Sequence, residues 1–452
     1  MSKVLVEQAL VVKNVEAAAS IRRSAVMWLM FLGPFFFISY GFANSLAASS
    51  KEVAHIVFAW ERHIPFVPWT IIPYWSIDIL YALSLFICTS RQELTAHVKR
   101  LITAQVVAVI CFMLFPLGFS FVRPETSGVI GWLYATLAGF DQPYNQAPSL
   151  HITLLVILWV LYPRHLPRWL VWPFHVLCVM IAVSVLTTYQ HHFIDIPTGM
   201  LLGFLCVWLW PLDDTPVMAA TLPGDQRRRR WWIATGYGMG SLALTALAFL
   251  VNGAALWLLW PAISLMLVAV NYAYLGSRGF QKGADGKMSL AATILYFPYL
   301  LGAKINSRLW THNKPKTVSI LGGVSLGRMP SRDDIVAGGF RSVVDMTAEF
   351  DRPNTAADWH AVPCLDLLVP SEDQLLRAAR LIATAQEKGR VLVTCALGYS
   401  RSALAVSAWL LVSGRAATVD QAVARVRQQR PTVAISDHGK SVLTALVQDL
   451  SR

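Results

Sequence analysis

Apolar runs long enough to cross a bilayer recur about every thirty residues through the first 275 positions of this chain, and no other feature restricts its fold so tightly. Eight spans are read, over about Ser24–Ala47, Thr70–Thr89, Leu101–Phe121, Leu150–Leu161, Trp169–Leu186, His191–Leu212, Trp231–Val251 and Ala254–Leu275. The first is too long for a signal-peptide core and reads as an uncleaved anchor. Met288–Ala303 is also apolar, but it is short and contains Pro298, so a membrane-surface or re-entrant helix is expected there. Only 14% of the 452 residues are charged, against ~25% in soluble domains. That excludes disorder, a coiled coil and a wholly soluble enzyme.

The net charge of +12 is an orientation signal. With the N-terminus in the cytoplasm, inside segments hold thirteen Lys and Arg, including Arg227 through Arg230, and outside segments hold three: Lys51, Arg62 and Arg123. Cations collect on the cytoplasmic side of membrane proteins, so both termini are expected there, in a multi-pass protein of a plasma membrane. Compact loops and a fused soluble domain suggest a bacterial inner membrane. If Met288–Ala303 spanned, the C-terminal domain would move outside. No soluble basic cluster is interleaved with aromatics, so nucleic acid is not expected as a partner; the lipid bilayer is.

Polar clusters interrupt the apolar pattern at span ends that counting places on the outer side. They are Arg123-Pro124, Pro148-Ser149-Leu150-His151, Ser184, and His191-His192-Phe193-Ile194-Asp195. His191 and Asp195 stand four apart on one helical face, where a carboxylate can fix the imidazole tautomer. An imidazole so held can act as nucleophile or base. His151 can protonate a leaving oxygen, Arg123 can clamp a phosphate and Ser149 can donate to it. His192 is the fallback nucleophile, though no carboxylate follows it four residues on. Asp78, inside the second span, is a functional suspect with a packing role equally open.

These motifs resemble those of the type 2 phosphatidic acid phosphatase superfamily, over roughly residues 70–211. The resemblance implies that His191 forms a phosphohistidine, Asp195 orients it and His151 protonates the leaving group. Arg123, Ser149 and Ser184 would hold the phosphate. Two cationic ligands of the family pattern are replaced here, by Pro116 and Val185. That is similar to the branch containing inositolphosphoryl and sphingolipid head-group transferases, which leaves hydrolysis and head-group transfer both open.

After the basic segment Lys304–Lys316 the pattern turns to short β-rich runs (Val318–Leu321, Ser342–Met346, Val391–Thr394) and amphipathic helices (Glu372–Lys388, Arg401–Ser413, Val419–Gln429, Lys440–Leu450). One α/β domain is expected. The run Val391-Leu-Val-Thr394-Cys395-Ala-Leu-Gly398-Tyr-Ser-Arg401-Ser402 reads as strand, glycine-containing loop, helix. Such a loop aims backbone N–H groups and a helix N-terminus at one point, an anion cradle in which a thiolate is stabilised. Ala396, Leu397, Gly398, Tyr399 and Ser400 would supply that cradle, Arg401 a bidentate phosphate grip, and Ser402 a hydrogen bond to the sulfur.

This C-x5-R run followed by Ser resembles the signature of the cysteine-dependent tyrosine and dual-specificity phosphatases, over about Val318–Leu450. The resemblance implies Cys395 as nucleophile, Arg401 as phosphate binder and an upstream acid. Asp366 stands in the family's place for that acid; Asp345 reads as the end of a structural strand. The family's usual His before the Cys is Thr394 here, which implies a slower enzyme. Cys364 could pair with Cys395 in a protective disulfide.

The expected fold is therefore an α-helical polytopic membrane protein joined to an α/β cysteine-phosphatase domain. Its parts are residues 1–68 with the first span, 69–212 as catalytic membrane domain, 213–314 as two spans and connector, and 315–452 as phosphatase domain. The expected function is phosphoester cleavage at two sites, on membrane lipid phosphates or phosphoproteins, with no metal or cofactor required. A head-group transferase with an accessory phosphatase domain, and a scaffold with a degenerate membrane site, are the alternatives.

Overall fold

The computed structural model describes residues 2–48, 53–139, 144–212 and 226–450, with side chains from residue 19 onward. The chain divides into two compact units, Met1–Pro216 and Val217–Arg452.

The first unit is helical: α1 (Ser2–Ala48), α2 (Ile71–Ile87), α3 (Arg91–Leu114), α4 (Gly128–Ala138), α5 (Leu150–Leu161), α6 (Arg168–Thr187) and α7 (Asp195–Leu209). Within it, α1, α2, α3 and α6 are long and apolar enough to cross a membrane. Their outer faces expose large apolar side chains such as Met30, Ile38, Ile79 and Trp172, as lipid-facing surfaces would. Two expected spans differ from this pattern. The α5 and α7 helices have 12 and 15 residues, about 18–23 Å at 1.5 Å per residue, short of the ~30 Å hydrocarbon core. Burial accounts for α5: nine of its residues, from Leu150 to Leu161, are buried, so other helices surround it and its length need not match a bilayer.

Small residues set the α5–α7 contact. A Cβ on Gly199 would lie 2.5 Å from the Ser149 carbonyl oxygen, and one on Gly203 would lie 2.7 Å from Val156 Cβ. Two glycines four apart let helix backbones approach closely. That approach lets Thr153 Oγ1 on α5 donate to the Gly199 carbonyl of α7 at 3.0 Å.

The second unit opens with α8 (Arg227–Val251), α9 (Leu259–Val270) and α10 (Leu290–Thr311). Segments Arg227–Val251 and Gly253–Phe280 are again long and apolar enough to cross a membrane. The connector expected at 288–303 is the first part of α10, which keeps Pro298 inside it and runs on to Thr311.

An α/β domain follows: β1 (Thr317–Leu321), β2 (Val324–Arg328), α11 (Arg332–Gly338), β3 (Ser342–Thr347), β4 (Asp358–Cys364), α12 (Glu372–Lys388), β5 (Val391–Cys395), α13 (Arg401–Val412), α14 (Val419–Gln429) and α15 (Asp437–Leu450). The sheet order is β1-β2-β5-β3-β4, parallel except for β1 against β2. Strand β5 is thus central, and all five of its residues are buried, as expected of a parallel strand covered on both faces. Its C-terminal end carries Cys395, where parallel sheets present their ligand sites.

Replacing Gly199 by Val should cost about 1–3 kcal/mol through overpacking, whereas Gly41→Ala, whose added Cβ meets nothing within 4 Å, should be neutral. Thermal unfolding in detergent measures both; equal midpoints would mean that the α5–α7 approach is not close.

Candidate active site

Cys395 ends β5, and the 396–400 loop turns the chain into α13. Gly398 makes the turn with φ +74°, and a Cβ there would lie 2.6 Å from the Gly327 carbonyl, so the loop needs glycine on two counts. The loop carbonyls are tied outward. Ser307 Oγ donates to Ala396 O at 2.7 Å, Arg430 Nη2 to Leu397 O at 3.3 Å, and Ala434 N to Tyr399 O at 2.9 Å. Gly398 N and Ser402 Oγ both donate to Cys395 Sγ, at 3.3 and 3.2 Å. The sulfur thus takes one donor from the loop and one from α13.

Arg401, the first residue of α13, is buried. Its guanidinium pairs bidentately with Glu349, Nη1 to Oε2 at 2.9 Å and Nη2 to Oε1 at 2.6 Å, and Nη1 also donates to Cys364 O at 2.8 Å. Burial alone would lower its pKa, but the Glu349 and Asp366 charges outweigh that and hold the group well above its ordinary value. Asp366 approaches Arg401 Nη2 at 2.9 Å and stays 43% exposed, free to meet a ligand. Its loop is anchored by Tyr272, whose hydroxyl donates to Asp366 O at 2.9 Å.

The alternative acid is committed elsewhere. Asp345 is fully buried and accepts from Lys282 Nζ at 2.5 Å, Trp359 Nε1 at 3.2 Å, and the Thr347 amide and hydroxyl at 2.8 Å. Thr394 is buried and directs its hydroxyl to the Cys395 carbonyl at 3.3 Å, not to the sulfur. Glu349 is absent from the sequence-based site. Only its position after β3, in Thr347-Ala-Glu349, hints at a role. Burial pushes the Cys364 thiol up to about 12, with the Arg401 charge offsetting only part of that. Both cysteines are free, and β3 lies between their strands. Two strand spacings are about 9.6 Å, so a disulfide would need backbone movement.

In the first unit, His191 Nδ1 meets Asp195 Oδ2 at 3.1 Å and its Nε2 meets Ser149 Oγ at 3.2 Å. His151 stacks on Tyr74 with ring centroids 4.1 Å apart, and its buried Nε2 has no hydrogen-bond partner among the described residues. A cavity of about 290 Å³ is lined by both histidines, Asp78 and aromatic side chains that include Phe37 and Tyr81. Arg123 lies over the Tyr134 ring at 4.8 Å and donates to Tyr189 O, two residues before His191. Ser184 instead donates to Ile181 O of its own helix at 2.7 Å, so its hydrogen is not offered to a ligand.

His192 does have a carboxylate, supplied from far along the chain. Its Nδ1 meets Glu61 Oε2 at 3.1 Å, and its Nε2 takes Ser120 N and Oγ, each at 3.1 Å. Glu61 also accepts from Phe58 N and Phe193 N. Glu61 and His192 thereby fasten three loops and hold the 191–195 turn.

Burial raises the Glu61 carboxyl, but donation from His192, Phe58 and Phe193 outweighs it, and the net displacement is below 4.5. A carboxylate favoured by folding stabilises fully above its ordinary value and loses that contribution as pH falls through the lowered one. Glu61→Gln should therefore cost about 1.5–3 kcal/mol at neutral pH and flatten the dependence of melting temperature on pH below 4.5; parallel melting curves would refute this linkage. At neutral pH iodoacetamide should alkylate Cys395 well before Cys364, as read by peptide mass spectrometry.

Residues 335–448 match the family model described as dual specificity phosphatase, catalytic domain; the match does not extend to the helices before it. A comparison with curated proteins finds no match. Among solved structures, Tk-PTP in its active form is similar at 28% identity, over 30% of this chain and 97% of that one, with a TM-score of 0.28. Human DUSP28 is similar at 23% identity, over 30% and 97%, with a TM-score of 0.28. PTPMT1 in complex with PI(5)P is similar at 18% identity, over 30% and 97%, with a TM-score of 0.28. The chain thus carries a dual-specificity-type phosphatase catalytic domain over 335–448 and is an enzyme that hydrolyses phosphoesters.

Proposed function

We propose that the protein is an integral membrane phosphatase with two phosphoester-cleaving centres. The observation that carries the first is the Cys395 sulfur, held by Gly398 N and by Ser402 Oγ of α13, the helix that Arg401 begins. Cys395 Sγ attacks phosphorus while Arg401 and the 396–400 amides take the phosphoryl oxygens. The P–O bond to the leaving alcohol breaks, and Asp366 gives that oxygen its proton. Water then attacks the S–P bond, Asp366 takes a proton from it, and the thiolate returns to Ser402 and Gly398. Glu349 holds one edge of Arg401 fixed throughout, a positioning role.

The second centre is the His191–Asp195 pair. Because Nδ1 is taken by Asp195, Nε2 is the attacking nitrogen, with Ser149 beside it. His151 protonates the leaving oxygen. Thirteen inside cations against three outside support an outward-facing histidine centre and a cytoplasmic cysteine centre in the plasma membrane. Pro116 and Val185, standing where the resemblance expects cations, favour a second reading of the histidine centre. In it the phosphohistidine passes its phosphoryl head group to an alcohol instead of to water.

The test is turnover of lipid phosphates and of an aryl phosphate by the full chain in detergent, for wild type, Cys395→Ser and His191→Ala. Cys395→Ser should lose aryl phosphate hydrolysis by roughly 10³-fold or more, the scale for removing a nucleophile; retained hydrolysis would sink the cysteine mechanism. His191→Ala should remove the lipid turnover that Cys395→Ser leaves. Turnover that requires an added alcohol and releases no free phosphate would favour transfer.

A further inference from the structure

Residues next to Cys395 and Arg401 share a cavity with helices that precede the α/β domain. This cavity, of about 330 Å³, has Glu349, Asp366, Ala396 and Leu397 on one side and residues of α8, α9 and α10 on the other. The far wall includes Tyr237 of α8, Leu265 of α9, and Tyr299, Gly302 and Asn306 of α10. Both α8 and the segment containing α9 are long and apolar enough to lie in a bilayer.

Three further observations make this wall part of the centre. Ser307 of α10 holds the Ala396 carbonyl, and Tyr272, just after α9, holds the Asp366 carbonyl. Tyr237 stacks near Tyr272 at 5.8 Å and meets Tyr299 edge-on at 5.8 Å, which joins the wall to the acid loop. Finally, α10 has two different faces. Ser307 is buried towards the loop, while Leu301, Ile305, Leu309 and Trp310 are exposed by 47, 52, 70 and 66%. The spacing of Leu301, Ile305 and Leu309 is one apolar stripe along the helix, the pattern of a helix lying in a membrane interface.

We propose that the cytoplasmic centre takes its phosphate monoester from a membrane lipid, whose apolar part lies along the α8–α10 wall while the phosphate reaches Cys395. This rests on the cysteine mechanism above and names its substrate class. A phosphate on a folded protein would have to enter past α10, whereas a lipid phosphate arrives along the face already bordered by apolar helices. The wall would discriminate by contact with the lipid body, and Arg401 by contact with the phosphate.

Gly302 provides the test, since a Cβ there meets nothing within 4 Å and a larger side chain would grow into open space. The full chain carrying His191→Ala, to silence the other centre, is reconstituted in phospholipid nanodiscs. Three substrates are compared: a dioleoyl lipid phosphomonoester, a phosphotyrosine peptide and a small aryl phosphate. The lipid should exceed the peptide in kcat/KM by at least tenfold. G302W should lower the lipid-to-aryl ratio of kcat/KM at least tenfold, and L265W, from the other side of the cavity, should lower it in the same direction. A peptide turned over as well as the lipid, or ratios unmoved in both variants, would overturn the proposal. Cys395→Ser run alongside separates the two failures: if it retains activity, the cysteine mechanism itself is wrong. If it is dead while the ratios do not move, only the lipid assignment falls.

Discussion

The buried pair between Arg401 and Glu349 is the constraint around which the cysteine centre is arranged. Both side chains are only 3% exposed, and taking two charges out of water costs several kcal/mol apiece unless the geometry returns it. Here the return is bidentate contact, with the Cys364 carbonyl as an additional acceptor. Such a pair adds little net stability. What it supplies is direction: one edge of the guanidinium is fixed, and the cation next to Cys395 remains charged at any pH the protein meets. In the proposed mechanism, phosphate would meet a charge already in place, and the cost of orienting it would be met during folding.

The proposed histidine centre would reach a similar end by different means. Its helices carry few charges, and position is set by close backbone approach at Gly199 and Gly203 and by the Glu61–His192 fastening. Asp195 accepts from the His191 ring and the His192 amide together, so a single carboxylate orients the ring and shapes the turn that bears it. In both proposed centres a residue that would meet the phosphate, Arg401 or His191, is held by a carboxylate that would not.

Much of this was legible in the sequence, but unevenly. The Val391–Ser402 run declared a strand, a loop and a helix because its residue types match each in turn, and β5 and α13 lie where that pattern puts them. The strands β1 and β3 and the helices α12, α14 and α15 were visible through periodicity. By contrast β2 carries Gly327 in its interior and follows Gly322-Gly323, β4 contains Pro363, and α11 is only seven residues long. Glycine and proline argue against strands, and seven residues give too little periodicity to see. Tertiary pairing decides these elements instead. Glu349 and Glu61 were missed for a related reason. Each meets its partner across 52 or 131 positions of chain, and no local pattern marks a carboxylate for such a meeting. The apolar runs were plain, yet α5 and α7 show that an apolar run reports burial without saying whether lipid or protein does the burying.

The Lys282 ammonium, fully buried on Asp345 and also donating to Thr347 O and Oγ1 at 2.9 Å, lies outside the α/β domain in sequence but inside it in space. A buried cation cannot be left without its carboxylate, nor the carboxylate without its cation, at less than about 3–5 kcal/mol. The module that recombination could move between proteins is therefore larger than the sheet and its helices. A catalytic domain cut away at the start of β1 would carry an orphaned Asp345 into its new host. Any lineage that exchanged this domain would have had to move the segment bearing Lys282 along with it, or replace both charges at once.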